Sequence, residues 1–312
     1  MDEKVKVSVC MITYGHEKFI REAIEGVLIQ ECDFEVEIIL ANDCSPDQTE
    51  VVIQDILSTH SKASWIKYIK HDQNIGMMPN FIFALSQCSG DYIALCEGDD
   101  YWIDPFKLQK QVDFLEENNE FSICWTKYLI KQYSENSIPL ARPDWISQIE
   151  QDKNVVISLS TIFRPYCTYT LTAMFKTDSF DLELLKTLEY SKDNSLYAIC
   201  LSRGNGVLMN FYSSVYRIHS GGIYSSASVF NQKYFSYLNL KEITLKIPFC
   251  DNLNIKGVRN HLLSECIELH PNRFSFNYLN LLVDRFKFLG IKMNLVIIYR
   301  EFKKYRNWKI VA

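Results

Sequence analysis

The chain has 312 residues, 47% of them apolar, and a net charge of −5. That length allows one large or two modest domains with a substantial core, and the acidic balance argues against a general nucleic-acid binder. Ten cysteines, with no CxxC pair and no metal-ligand spacing to histidine, suggest free thiols in a reducing compartment rather than a disulfide framework. The opening Met1-Asp2-Glu3-Lys4-Val5-Lys6-Val7 holds no apolar segment long enough for a signal peptide. No run approaches the roughly 18 apolar residues of a spanning helix. The expectation is a cytoplasmic protein, at most peripheral on the inner face of a membrane.

Residues 5–13 are rich in β-branched side chains and predict a strand, ending at Thr13-Tyr14-Gly15-His16. Phe19, Ile20, Ala23, Ile24, Val27 and Leu28 then recur at helical spacing. Residues 34–41 predict a second strand, followed by a turn from Asn42 to Thr49 and a helix over 51–57. A short strand at 66–69 leads to His71-Asp72-Gln73-Asn74-Ile75-Gly76. Phe81, Ala84, Leu85 and Cys88 mark a helical face that stops at Ser89-Gly90. The fourth strand, 92–96, runs straight into Glu97, Asp99 and Asp100. Strand–helix alternation predicts an α/β fold with a mostly parallel sheet and right-handed crossovers. The polar clusters Thr13-Tyr14, Asn42-Asp43, Asn74 and Asp99-Asp100 then share one sheet edge, where such folds bind ligands. Three carboxylates in four positions repel one another unless a cation lies between them, which suits a hard cation shared with substrate phosphates. The same residues also suit a solvated acidic turn capping the next helix.

The runs Val9-Cys10-Met11-Ile12-Thr13-Tyr14 and Ile38-Ile39-Leu40-Ala41-Asn42-Asp43-Cys44-Ser45-Pro46-Asp47-Gln48-Thr49 stand in order with two further motifs. These are Asn74-Ile75-Gly76 and Gly90-Asp91-Tyr92-Ile93-Ala94-Leu95-Cys96-Glu97-Gly98-Asp99-Asp100. Over about the first 110 residues this series resembles the nucleotide-binding half of family 2 glycosyltransferases, which have the GT-A fold. Gly15 departs from the family's usual Asn and Cys44 from its usual Gly. The resemblance implies that Asp43 reads the base, Tyr14 packs on it, and Thr13 and Asn74 line the nucleotide. A carboxylate at a strand end can accept the imide N–H of uracil; otherwise Asp43 closes the Ser45-Pro46 turn. Asp99 resembles a residue that contacts ribose or shares a metal, and Asp100 one that binds Mn²⁺ or Mg²⁺. Glu97 and Asp99 also fit a relaxed D-x-D motif, so two metal-ligand registers stay open. His71 on the same edge is read as structural.

Residues 101–118 predict a helix entered through Asp104-Pro105, and 121–130 a further strand. Residues 132–154 are polar, carry Pro139 and Pro143, and predict a loop or insertion on the acceptor side. Pro165-Tyr166-Cys167-Thr168-Tyr169-Thr170 resembles the family's acceptor-facing segment, where Tyr166 and Tyr169 would stack on sugar rings; an ordinary strand with exposed aromatics fits as well. Residues 178–190 predict a helix with Asp178 as N-cap. Asp193 precedes an amphipathic helix, at the position where the family carries its catalytic base, although Lys192 and Asn194 replace the usual flanks; a plain helix cap is the alternative. Two short strands, 206–210 and 213–217, lead into Tyr216-Arg217-Ile218-His219-Ser220-Gly221-Gly222. The resemblance implies that His219 serves the metal or diphosphate, and that Arg217 pairs with phosphate or an acidic neighbour. Glycines 221 and 222 would allow a mobile loop over the donor.

The expected organisation is a GT-A domain over 1–226, with its nucleotide-sugar half in 1–110 and acceptor half in 111–226, and a helical extension over 227–312. The last stretch alternates Arg285, Lys287, Lys292, Arg300, Lys303, Lys304, Arg306 and Lys309 with aromatics, which suits a membrane surface or a helical appendage. A homodimer is left open. The leading expectation is an inverting, metal-dependent transferase that moves a sugar from a UDP-sugar to a saccharide or lipid-linked acceptor. A sugar nucleotidyltransferase would carry a Gly-rich basic phosphate loop where Thr13-Tyr14-Gly15-His16-Glu17 stands. A third reading is a catalytically inactive nucleotide-sugar-binding module.

Overall fold

The computed structural model describes residues 6–132, 140–141, 153–163, 168–219, 221, 227–273 and 275–288. β1 (Lys6–Thr13), β2 (Glu35–Asn42), β3 (Ile66–Lys70) and β4 (Tyr92–Leu95) alternate with α1 (Ile20–Leu28), α2 (Thr49–Thr59) and α3 (Met77–Gln87). The strands pair in parallel in the order β3-β2-β1-β4. β1, β2 and β4 are buried along most of their length because helices cover both faces, as is usual in a parallel sheet, while the edge strand β3 exposes Lys67 and Lys70. From β1 the chain winds outward to β2 and β3, then returns to lay β4 on the opposite side. The switch point between β1 and β4 opens a crevice at the carboxyl ends, where Thr13 pairs with Asn42 and Leu95 with Cys10.

The second half adds β5 (Tyr101–Trp102), α4 (Lys107–Glu117), β6 (Phe121–Gln132), β7 (Leu140–Ala141), β8 (Val155–Ile157), β9 (Met174–Lys176), α5 (Leu182–Lys186), α6 (Asp193–Leu201) and β10 (Asn205–Ile218). β9 runs antiparallel between β4 and β6 and joins both halves into one sheet, β3-β2-β1-β4-β9-β6-β10-β5. Three local expectations are corrected. The helix predicted from 101 starts only at Lys107. Tyr101 and Trp102 instead pair with β10, and the buried Trp102 donates its indole Nε1–H to Leu171 O at 2.8 Å. The two strands expected near 206–217 are one strand with register shifts between Met209 and Ser214. The helix expected at 178 is a 3₁₀ turn, Thr177–Ser179, followed by α5; its cap is Asp181, which accepts from Leu184 N at 2.9 Å.

α1 lies close on β5 because Gly26 has no side chain there. A Cβ at Gly26 would stand 2.8 Å from Trp102 O and 2.9 Å from Trp102 N. Both obstacles are backbone and cannot swing aside. Gly26→Ala is expected to lower stability by about 1–3 kcal/mol, as overpacking does. A thermal melt reads this; an unchanged midpoint would mean that the helix shifts without cost.

α7 (Val229–Lys246) and α8 (Leu253–Leu269) follow, with residues 276–288 also helical. Ser228 caps α7 by accepting from Asn231 N, and Asn252 caps α8 by accepting from Ile255 N. Leu240, Ile243, Ile247, Cys250 and Ile255 lie in the same core as Trp125, Leu196 and Ile199. The extension therefore shares a core with the sheet domain. Among the described residues no helix is long and apolar enough to cross a membrane. The basic stretch beyond residue 288, Tyr166, Gly222 and most of the polar loop at 132–154 lie outside the described residues.

Candidate active site

The acidic turn leaves β4 at the switch point. Gly98 N–H donates to Ile12 O at 2.9 Å, which folds the turn against the end of β1. A Cβ on Gly98 would meet Thr13 Oγ1 at 2.8 Å and His16 Nδ1 at 3.0 Å, so only glycine permits this approach. Asp99 is a quarter exposed and faces two imidazoles: His219 Nε2 at 3.1 Å and His16 Nε2 at 3.8 Å. Gly221 N–H donates to His219 Nδ1 at 3.2 Å, so the ring proton sits on Nε2 and points at Asp99. Burial opposes ionisation of Asp99, but the His219 hydrogen bond and the nearby His16 hold its carboxyl below the usual range.

Asp100 turns inward and is fully buried. Its Oδ1 accepts from Arg217 N at 2.8 Å, and among the described residues its buried Oδ2 finds no hydrogen-bond partner. Burial, then Asp99 and Glu97, push the Asp100 carboxyl well above its ordinary range. Burial, then the charges of Asp99 and Asp193, push Glu97 up to about 8. The Arg217 guanidinium is taken up within the protein: it donates to Asp99 O at 2.7 Å, pairs with Glu22, and lies over the Tyr101 and Phe19 rings at 4.2 and 5.3 Å. Of the two partners read for Arg217, the structure supplies the acidic neighbour.

A carboxylate cluster held partly protonated, with an orphaned oxygen and an imidazole at its rim, suits a hard or borderline divalent cation. Among the described residues no three His, Cys, Asp or Glu side chains already form a cage. An ion at this turn would take few protein ligands and complete its shell from diphosphate and water. Asp99 and His219 are hydrogen-bonded to each other at 3.1 Å, Glu97 is partly exposed in the same turn, and the buried Asp100 would have to turn outward to join.

On the other side of the crevice, Tyr14 is 47% exposed at the end of β1, and Asn74 is exposed on its loop. Asp43 N–H donates to Thr13 O at 3.0 Å. The Asp43 carboxylate accepts from Ile75 N at 2.7 Å and Gly76 N at 2.9 Å, tying the Asn74 loop to β2. Asn42, rather than Asp43, closes the Ser45 turn: its Oδ1 accepts Ser45 N at 2.9 Å and Ser45 Oγ at 2.7 Å. Cys44 has φ 57°, in the left-handed region that glycine enters without strain. His71 is structural, at 2.9 Å from Asn80 Oδ1 and edge-on to Phe83.

On the acceptor side, Asp193 is the first residue of α6, one past the boundary residue Lys192. Its Oδ1 accepts from Asn194 N at 2.8 Å. Asp193 is close enough to the acidic turn that its charge raises Glu97, and it also raises the buried Tyr197. Tyr169 is partly buried between Tyr128 at 4.2 Å and Tyr216 at 5.2 Å. The sequence reading missed His16, Phe19, Glu22 and Tyr101. His16 stood three residues past Thr13 and so within reach of the same edge; the other three meet the site only through folding.

A switch-point crevice with an acidic turn at the end of β4 defines the class: the fold is GT-A. The sequence model of glycosyl transferase family 2 matches residues 8–177, more than half of the chain, and the chain belongs to that family. An uncharacterized protein of Mycobacterium tuberculosis is 41% identical over 119 residues, covering 38% of this chain and 34% of its own. The chain thus spans about a third of the length of the first curated relatives it matches. A UDP-Glc:alpha-D-GlcNAc-diphosphoundecaprenol beta-1,3-glucosyltransferase of Escherichia coli is 25% identical over 77% of this chain and 87% of its own. Among solved structures, S. aureus TarS 1-349 in complex with UDP-GlcNAc aligns with TM-score 0.60 at 18% identity, over 92% of this chain and 82% of that one. A Pyrobaculum calidifontis mannosyltransferase in complex with GDP-Man and Mn²⁺ aligns with TM-score 0.57 at 14% identity, over 98% and 84%.

Proposed function

We propose that this chain is an inverting glycosyltransferase that moves a sugar from a UDP-sugar to a saccharide or lipid-linked acceptor in surface polysaccharide synthesis, aided by Mn²⁺ or Mg²⁺. The observation that carries the reading is the Glu97-Gly98-Asp99-Asp100 turn at the switch point, with Asp193 within electrostatic reach of it. Tyr14 would offer a face to the base, and Asp43, whose two oxygens brace the Asn74 loop through Ile75 N and Gly76 N, would select uracil. Asp99 and His219 would hold the ion, which would neutralise charge on the departing diphosphate. Asp193 takes the proton of the acceptor hydroxyl as that oxygen attacks the anomeric carbon on the face opposite UDP. Support for a UDP-sugar comes from the E. coli relative and the TarS complex, both named with one. The basic stretch from Arg285 onward supports a peripheral position on the inner face of a membrane, and so a cytoplasmic site of action.

A nucleotidyltransferase is disfavoured because Gly15 and His16 spend their N–H groups on Ser45 Oγ at 3.0 Å and Thr49 Oγ1 at 2.8 Å, leaving that turn no open anion cradle. A panel of UDP-, GDP- and CDP-sugars, assayed for nucleotide release with and without Mn²⁺, tests the proposal. UDP release that rises at least about 10-fold with Mn²⁺ is expected. Release from GDP-sugars alone would overturn the donor assignment.

A further inference from the structure

We propose that α7 belongs to the catalytic apparatus, with Glu242 and Asn239 as positioning residues that set the entry of α6 and hence the place of Asp193. The proposal rests on the reading of Asp193 as the base. Both Glu242 oxygens accept main-chain N–H groups, Oε1 from Glu189 at 3.1 Å and Oε2 from Tyr190 at 2.6 Å. Asn239 Nδ2 donates to Tyr190 O at 2.9 Å and to Ser195 Oγ at 2.6 Å. Ser195 Oγ in turn accepts from Lys192 N at 3.2 Å, and Lys192 O accepts from Ser195 N at 2.9 Å. Lys192 Nζ reaches Ser236 Oγ at 3.2 Å, and Lys246 Nζ reaches Thr187 O at 2.9 Å.

Ser236, Asn239, Glu242 and Lys246 are spaced at three or four residues and so line one face of α7. That face meets the turn at 187–192, which has no ladder of its own to satisfy its backbone. Asn239 is 2% exposed and Glu242 9%. Burying an amide and a carboxylate is costly unless both are hydrogen-bonded, and Leu240 and Ile243 beside them already supply apolar docking. The polar stripe adds what apolar contact lacks, which is a fixed register for the chain just ahead of Asp193. A displacement of about 1 Å at a reacting group can cost about 100-fold. These residues lie beyond the family match, which ends at residue 177.

The test is Glu242→Gln in the full chain, because the amide cannot accept from both N–H groups as the carboxylate does. Transfer kcat is expected to fall about 10-fold or more, with UDP affinity by calorimetry changed less than about twofold. In an Asp193→Asn background the same change should cost less than about twofold, since the group it positions is gone. Wild-type turnover by Glu242→Gln alongside an inactive Asp193→Asn overturns the positioning role and leaves the base assignment standing. Wild-type turnover by Asp193→Asn overturns the base assignment instead. An equal fall in both backgrounds means general loosening and overturns the proposal. If Glu242→Gln does not fold, Ser236→Ala is read in its place: a fall of about two- to fivefold supports the proposal, and an unchanged rate overturns it.

Discussion

Asp193→Asn is expected to lower sugar transfer at least about 100-fold while UDP binding and the fold stay as they are. An acceptor alcohol is a weak nucleophile until a base takes its proton, and such help is typically worth about 10²–10⁴-fold. Asp193 stands at the start of α6, near enough to the acidic turn for its charge to help raise Glu97. Asparagine keeps the side-chain oxygen that accepts from Asn194 N. Losing a negative charge in the first helical turn costs only about 0.3–1 kcal/mol through the helix dipole, so the melting point moves little. Transfer rate and UDP calorimetry on the same preparation separate chemistry from folding. A near wild-type rate would place the base elsewhere and leave Asp193 a first-turn residue.

Asp99→Asn is expected to abolish any Mn²⁺ stimulation of UDP binding and to lower transfer at least about 100-fold, the scale of a metal that stabilises developing charge by several kcal/mol. Asparagine can still accept from His219 Nε2, so the imidazole stays in place while the anionic ligand is lost. The pH dependence follows from Glu97, whose pKa rises from 4.5 to about 8 on folding. The folded state keeps that proton where the unfolded state has released it. Stability without metal therefore falls as pH rises through that window. A bound cation favours the ionised form, so the melting shift from Mn²⁺ with UDP is larger at pH 8 than at pH 5. Equal shifts at both values in the wild type, or full Mn²⁺ stimulation in Asp99→Asn, would remove Asp99 and its neighbours from the metal's surroundings.

The alternation of apolar runs and helical faces up to Asp100 determined the parallel sheet and its ligand edge, because a strand buried on both faces must be apolar throughout and its loop cannot be. Asp43 and Asp99 are legible at the crevice by the same logic, as charged groups just past strand ends, whereas the reading of His219 comes from the family resemblance of its motif. What the sequence could not carry was direction. Adjacent carboxylates read alike, and only the packed structure shows Asp99 turned to His16 and His219 while Asp100 is sealed under the backbone of Arg217. Arg217 reads by type as a partner for phosphate or for an acidic neighbour, and only the fold supplies that neighbour's identity: Glu22, from the start of α1, meets it across 195 positions of chain. Tyr101 and Trp102 carry a helix's pattern but join β10, because a distant partner strand satisfies their backbone and buries the indole. The extension past residue 227 reads as a separate helical unit because several of its contacts with 187–195 go to main-chain groups, which leave no trace in a sequence. Local periodicity is written residue by residue, whereas which way a side chain turns and which backbone it binds depend on neighbours that only the folded chain brings together.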